Sequence, residues 1–372
     1  MKAKRVLITG GAGFVGSHTA DALIEAGHEV RIFDNLTSQV HQGGVSYVPG
    51  GAEFILGDVR NLDKLRKAVA GAEVIFHFAA AVGVGQSMYR ISEYTSTNNL
   101  GTANLLQAIL DTRSAPGKIV VASSMSIYGE GKYLCRECGE VAPPPRPLQQ
   151  LKDKQWETVC PNCEETAVPV PTREDKPLQC TSIYALSKKD QEEMTLLFGR
   201  TYGIPAVALR YFNIYGTRQS LSNPYTGVAA IFASRLMNGK PPVIFEDGQQ
   251  MRDFVSVRDI VQANLLAMDS DRANGMALNV GSGNPVTIRE LADELSRALN
   301  VHIPLEITGK YRAGDVRHCF ADIDAASDFL AYEPRVELKQ GIEELVEWLQ
   351  SQQAGDSVDN AMQQLAAHGL VA

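Results

Sequence analysis

The chain has 372 residues, enough for two domains, and its 43 acidic against 35 basic residues leave a net charge of −8 with no block of like charges. That balance argues against a nucleic-acid-binding surface, and no apolar run reaches membrane-spanning length, so a small partner and a cytoplasmic location are expected. Six cysteines are too few for a disulfide framework in a chain this long, and a reducing compartment would keep them as thiols or metal ligands.

The first β-branched run, RVLIT at 5–9, ends in a glycine turn, TGGAGFVG, that opens a helix near Phe14. Gly10, Gly13 and Gly16 permit a tight turn and the close approach of a pyrophosphate, which the N–H groups of a helix N-terminus can bind. The next run, EVRIF, leads to Asp34, which can accept from a ribose 2′-hydroxyl. No basic residue at 35–37 would welcome a 2′-phosphate, so NAD is favoured over NADP. Asp58 follows EFILG and is placed to meet the adenine side.

EVIFHF, KIVVAS and PAVALRYF continue the strand rhythm, with helical patterns between them. That alternation predicts an α/β fold, a doubly wound parallel sheet of Rossmann type. The expected division is a nucleotide-binding domain over 1–212, with 249–283 returning to it, and a smaller substrate domain over 213–350. A tail at 351–372 looks loosely attached, or forms one more helix. Residues 130–178 follow neither period and read as an insertion rich in proline, cysteine and charge.

VASSMSIYG should place Ser124 at the carboxyl edge of the sheet, where ligands of open α/β sheets bind. Tyr184 and Lys188, four apart on a predicted helix, share one face. A phenol near pKa 10 is a poor base at neutral pH, but a neighbouring ammonium and a positive nicotinamide ring favour phenolate. Tyr184 could then take the proton of a sugar hydroxyl while hydride leaves the same carbon, with Ser124 as hydrogen-bond relay. Within the insertion, Cys135, Cys138, Cys160 and Cys163 form C-x₂-C-x₂₁-C-x₂-C, the spacing of a closed, structural zinc site of the zinc-ribbon kind. Cys180 lies outside that spacing.

The turn at 9–16, FHFAA at 76–80, NNLGT at 98–102, SSMSIYG at 123–129, Tyr184-x-x-x-Lys188, RYFNIYG at 210–216 and RDFVSVRD at 252–259 together resemble the extended short-chain dehydrogenase/reductases. The likeness is closest to the nucleotide-sugar epimerases. It implies further NAD contacts from Phe14, Val15, Asn35, Val59, Phe78, Ala79, Ala80, Asn98 and Phe212, besides those of Tyr184 and Lys188. It also implies a diphosphate anchor of Asn213, Arg252 and Arg312, with Asp315 on the nucleotide ribose. By the same likeness Ser87 touches the hexose and Cys319 limits the space around it, although Cys319 also reads as a small buried thiol.

Dehydratases and decarboxylases of the family carry acids where this chain has Met125 and Ser126, so reversible oxidation at C4 is what remains. The resemblance is greatest to dTDP-L-rhamnose 4-epimerases, which make dTDP-6-deoxy-L-talose. UDP-hexose or UDP-N-acetylhexosamine 4-epimerases and a 4-ketosugar reductase are the alternatives, with a non-catalytic adaptor the reading from another class. Family members commonly form homodimers through the helix bearing Tyr184 and the one before it.

Overall fold

The structure, a computed structural model, describes residues 2–41, 47–221, 223–225, 227–352 and 358–371. Seven parallel strands form the main sheet: β1 (Arg5–Thr9), β2 (Glu29–Asp34), β3 (Glu53–Leu56), β4 (Val74–His77), β5 (Lys118–Ser124), β6 (Ala206–Tyr211) and β7 (Ala277–Val280). Their spatial order is β7-β6-β5-β4-β1-β2-β3. The winding direction therefore reverses between β1 and β4, and a crevice opens at their carboxyl ends.

Strand periodicity explains why both faces are buried. Successive side chains alternate sides, so Val6, Ile8 and Val120 pack on one face with the helix α1 (Phe14–Glu25) and the helix Val257–Asp269. Leu7, Ile75, Ile119 and Val121 pack on the other, with Leu65, Leu105 and Phe198 from the helices Leu62–Val69, Gly101–Asp111 and Ile183–Tyr202. All seven residues of β5 are buried, as expected for a central parallel strand.

The smaller unit has its own core, in which Phe232, Leu291, Leu295, Ile342 and Leu345 meet. Its helix Ile288–Ala298 starts at a reciprocal capping box between Thr287 and Glu290. The expected return of 249–283 to the main sheet divides. Met251–Ser256 pairs with Asn213–Tyr215, Pro285–Thr287 and His318–Cys319 in a small sheet, whereas Val257–Asp269 packs on α1 and β7 closes the main sheet.

The insertion builds a three-stranded antiparallel sheet in the order Gly139–Val141, Lys132–Cys135, Val168–Val170. Its own buried cluster is small: Tyr133, Cys135, Val141, Cys160 and Ala167.

The tail carries one more helix. Of its residues 353–357 and 372 lie outside the described ones; the rest form the helix Val358–Ala367 and a last bridge, Val371 to Arg312. Asp359 pairs with Arg235 and Lys240, and His368 stacks on Tyr89 at 4.6 Å. Among the described residues no helix is long and apolar enough to cross a membrane.

Candidate active site

At the switch point the glycine turn joins the loop after β4. Gly10 has φ +72°, and a Cβ there would lie 2.7 Å from the Ala79 nitrogen; one on Gly16 would lie 2.3 Å from the Gly10 carbonyl oxygen. These positions admit only glycine, and the helix and strand loops close tightly because of it. Gly13 caps α1 without a side-chain hydrogen bond, and no acid occupies the first turn. The amino-terminal N–H groups thus remain available to an anion.

Asp34 ends β2 beside the turn, where Ala12 N and Leu36 N donate to its carboxylate at 3.0 and 2.9 Å. Asn35 donates to Asp58 at 2.9 Å, and Arg60 grips the same carboxylate, holding it well below the usual range. Arg60 was invisible to motif reading. Phe14, Val15, Phe78, Ala79 and Ala80 are half-buried around the crevice, whereas Val59 and Phe212 are buried. Asn98 is fully buried and its carboxamide is taken up by Ala81 N, Ala81 O and the Ser187 hydroxyl. It shapes the floor of the crevice and has no free side-chain group to present there.

Ser124 closes β5, and its Oγ accepts from Ser126 N at 3.2 Å and Ser126 Oγ at 2.9 Å. Ser182 caps the helix Ile183–Tyr202 by accepting from Ala185 N, which fixes the turn that carries Tyr184 and Lys188. Burial pushes the Tyr184 phenol up, and a hydrogen bond with Ser124 pulls it the other way. Lys188 is 3 % exposed. Burial brings its pKa down to about 7, with Glu192 opposing.

Beneath Lys188 lies a polar chain that sequence reasoning missed. Lys188 Nζ donates to Gln191 Oε1 at 2.7 Å, and Gln191 Nε2 donates to Thr102 Oγ1 at 2.9 Å. His77 bridges Thr102 and Thr9 through its two ring nitrogens, at 2.9 and 2.7 Å. Burial and the charge of Lys188 push His77 down to about 3, so it is neutral. The end of β1, next to Gly10, is thereby tied to the lysine.

Arg252, Arg312 and Asp315 meet on the neighbouring segment. Arg312 reaches Asp315 Oδ2 at 2.6 Å and Arg252 reaches Oδ1 at 3.2 Å. Burial pushes the Asp315 carboxyl up, but the two guanidiniums outweigh it and hold the pKa below the usual value. Thr181, three residues before Tyr184, donates to the Gly314 carbonyl at 2.8 Å, which sets this cluster beside the helix that bears Tyr184. Asn213 Oδ1 is buried with no donor among the described residues.

Ser87 and Cys319 are both buried. Ser87 is 0 % exposed; its hydroxyl donates to Val84 O at 2.6 Å and accepts from Tyr184 N at 3.0 Å. It holds the start of the helix that bears Tyr184. Cys319 is 1 % exposed, packed with Met125, Tyr128, Phe212 and Ala321, and burial raises its thiol to about 12. This packing is that of the small buried thiol, one of its two expected readings.

The insertion brings its cysteines together. The Sγ atoms of Cys135, Cys138, Cys160 and Cys163 all lie within 4.8 Å of one another. Each pair closes on a residue of left-handed backbone immediately after its second cysteine, Gly139 at φ +74° and Glu164 at φ +64°. Asn162 N donates to Cys160 Sγ at 3.4 Å.

A family model described as the NAD dependent epimerase/dehydratase family matches residues 6–150 and 157–281. A dTDP-L-rhamnose 4-epimerase of Burkholderia thailandensis is 31% identical over 93% of this chain and 95% of its own. Two solved structures superpose along nearly the whole length. The UDP-N-acetylglucosamine 4-epimerase of Methanobrevibacter ruminantium, in complex with UDP-N-acetylmuramic acid, has a TM-score of 0.76 at 31% identity and covers 95% of this chain and 100% of its own. The UDP-glucose 4-epimerase of Thermus thermophilus, in complex with NAD, has a TM-score of 0.75 at 29% identity, covering 93% and 99%. These relatives are isomerases of nucleotide sugars, and the chain described here belongs to the NAD-dependent epimerase/dehydratase family.

Proposed function

We propose that the protein interconverts the C4 epimers of a nucleotide-linked hexose by way of a transient 4-keto sugar. The observation that carries this is the convergence of Ser124, Tyr184 and Lys188 beside the glycine turn and next to the Arg252–Asp315–Arg312 cluster. Met125 and Ser126 stand where elimination of a C6 hydroxyl would need an acid.

The turn of Gly10, Gly13 and Gly16, the open start of α1 and Asp34 fit a bound NAD, which would supply a hydride acceptor and donor at the sugar C4. Tyr184 takes the proton of the C4 hydroxyl and returns it after the ketone has presented its other face. Ser124 orients the phenol, and Lys188, held on Gln191, stabilises the phenolate as the phenolate in turn favours the ammonium. Arg252, Arg312 and Asn213 hold the diphosphate, leaving the sugar free to swing.

As substrate we propose dTDP-L-rhamnose, converted to dTDP-6-deoxy-L-talose, the sugar for which the Burkholderia relative is named; UDP-hexoses are the alternative, since a putative UDP-glucose 4-epimerase of Methanocaldococcus jannaschii is 34% identical over 93% of this chain. Proton NMR of the purified protein with dTDP-L-rhamnose and no added cofactor tests the reading. A second sugar signal with small H4 couplings, settling to a fixed ratio without NADH, supports it. UDP-glucose, UDP-galactose and their N-acetyl forms in the same tube test the nucleotide and sugar. Silence across the panel would refute 4-epimerisation of these sugars.

We also assign a structural zinc ion to the four cysteines. Tetrahedral Zn–S bonds of about 2.3 Å put sulfurs about 3.8 Å apart, which the cluster's 4.8 Å bound accommodates, and four thiolates leave no open position for catalysis. A homodimer is the third part of the proposal. Ile91, Leu100 and Leu197 are exposed along the helical face that includes Gly101–Asp111 and Ile183–Tyr202, and a second copy of the same face would cover them. Light scattering on the purified protein tests this.

A further inference from the structure

The segment 315–320 that carries the anchor is gripped from two sides. On the inner side Met251 pairs with His318 and Arg252 with Cys319. Arg252 donates to the carbonyls of Arg317 at 3.0 Å and Val316 at 2.6 Å, as well as to Asp315. The pose of this guanidinium is therefore set by the backbone of 315–317.

On the outer side the partner is the cysteine-bearing insertion, together with the residues that lead into it. Gly131 N donates to His318 O and Thr172 N to Phe320 O, each at 2.8 Å. Glu130 accepts from Arg317 N at 2.8 Å, and Arg146 donates to Asp315 O at 3.4 Å. Glu157 accepts from Arg317 Nε and lies 3.1 Å from His318 Nε2. Arg317 is 0 % exposed, and its charge is met by Glu157, Glu246 and Asp247; Arg146 shares Glu246. Of these groups Arg146 and Glu157 belong to the insertion, whereas Glu246 and Asp247 would stay with Arg317 without it.

We propose that the insertion is a positioning element for the nucleotide-diphosphate anchor, with Arg146 and Glu157 as the residues that transmit it to Arg252. The assignment rests on the reading of Arg252 as diphosphate anchor given above. The four clustered cysteines tie together the two ends of the insertion's tip, and the insertion in turn holds the backbone of 315–318 against the strand of Arg252.

The test uses the full chain with its cofactor and three variants: Glu157→Gln, Arg146→Lys and Arg252→Ala. Calorimetric titration with dTDP and with UDP is read beside KM and kcat. For Glu157→Gln and Arg146→Lys we expect nucleoside diphosphate Kd and sugar-nucleotide KM to rise about tenfold with kcat within about twofold, the split left by loss of uniform binding. Amide hydrogen exchange at 315–320 should quicken in the same variants. If Arg252→Ala leaves diphosphate binding unchanged, the anchor reading itself fails. If Arg252→Ala weakens binding while the other two lower only thermal stability, the positioning role is overturned. Should Arg146→Lys not fold, Glu157→Gln carries the test, because the Glu157 side chain is 49% exposed.

Discussion

Replacing Lys188 by Met should stabilise the NAD-free protein while abolishing catalysis. Burial lowers the lysine from 10.5 to about 7, which corresponds to about 5 kcal/mol against the charged form. Because the folded value lies below the unfolded one, the cost is present in full below the folded pKa and fades as pH rises towards the unfolded one. Met removes the charge but deprives Gln191 Oε1 of its 2.7 Å donor, a loss of about 1–3 kcal/mol. The net gain at pH 6 is then about 2–4 kcal/mol. For 372 residues the unfolding entropy is about 0.8 kcal/mol/K, so Tm should rise by about 3–5 °C. Calorimetry on nucleotide-stripped parent and variant at pH 6, 8 and 9.5 reads this directly. A variant less stable than the parent at pH 6, or a gap that does not narrow as pH rises, refutes the account of Lys188 as a buried, strained cation.

Tyr184→Phe should lower kcat by about 10²–10⁴-fold with bound NAD retained, as absorbance of the purified protein will show. Gly16→Ala drives a Cβ into the Gly10 carbonyl at 2.3 Å, whereas Gly50→Ala meets nothing within 4 Å; the first should lose NAD content and Tm, and the second neither. Elemental analysis should find about one zinc per chain. Cys160→Ser should lose it, lower Tm and raise KM more than it lowers kcat, through the loosened 315–320 segment.

What could be read from sequence was what is local. The Gly10–Gly13–Gly16 turn, the Tyr184 and Lys188 spacing and the paired cysteines each lie within a short stretch whose period or spacing is the signal, and the structure brings each set together. The strand rhythm up to β6 was legible for the same reason. The neighbours of Ser87 do not reveal that its hydroxyl faces Tyr184 N, a residue far along the chain. The His77–Thr102–Gln191 chain and the cluster of Glu130, Arg146, Glu157, Glu246 and Arg317 are assembled wholly by tertiary contacts. No spacing announces them, and each charge alone reads as a solvated surface residue. The docking of the tail is likewise tertiary, since Asp359 finds Arg235 and Lys240 only once the smaller unit has folded.

The antiparallel pairing of Lys132 with Val170 also bears on how the chain reaches its fold. Between β5 and the helix Ile183–Tyr202 the chain makes a long excursion, and β5 must wait through it for its neighbour β6. A lobe that closed early on a metal held by its four cysteines would draw Lys132 and Val170 together and shorten the effective loop between β5 and β6 roughly twofold. That would remove about 0.6 kcal/mol of closure entropy from the later docking of β6. Refolding without metal should accordingly leave the exposed edge of β5 open for longer, and an open central strand is a template for pairing with other chains. Metal supply during synthesis would then govern the yield of assembled sheet as much as the stability of the finished molecule.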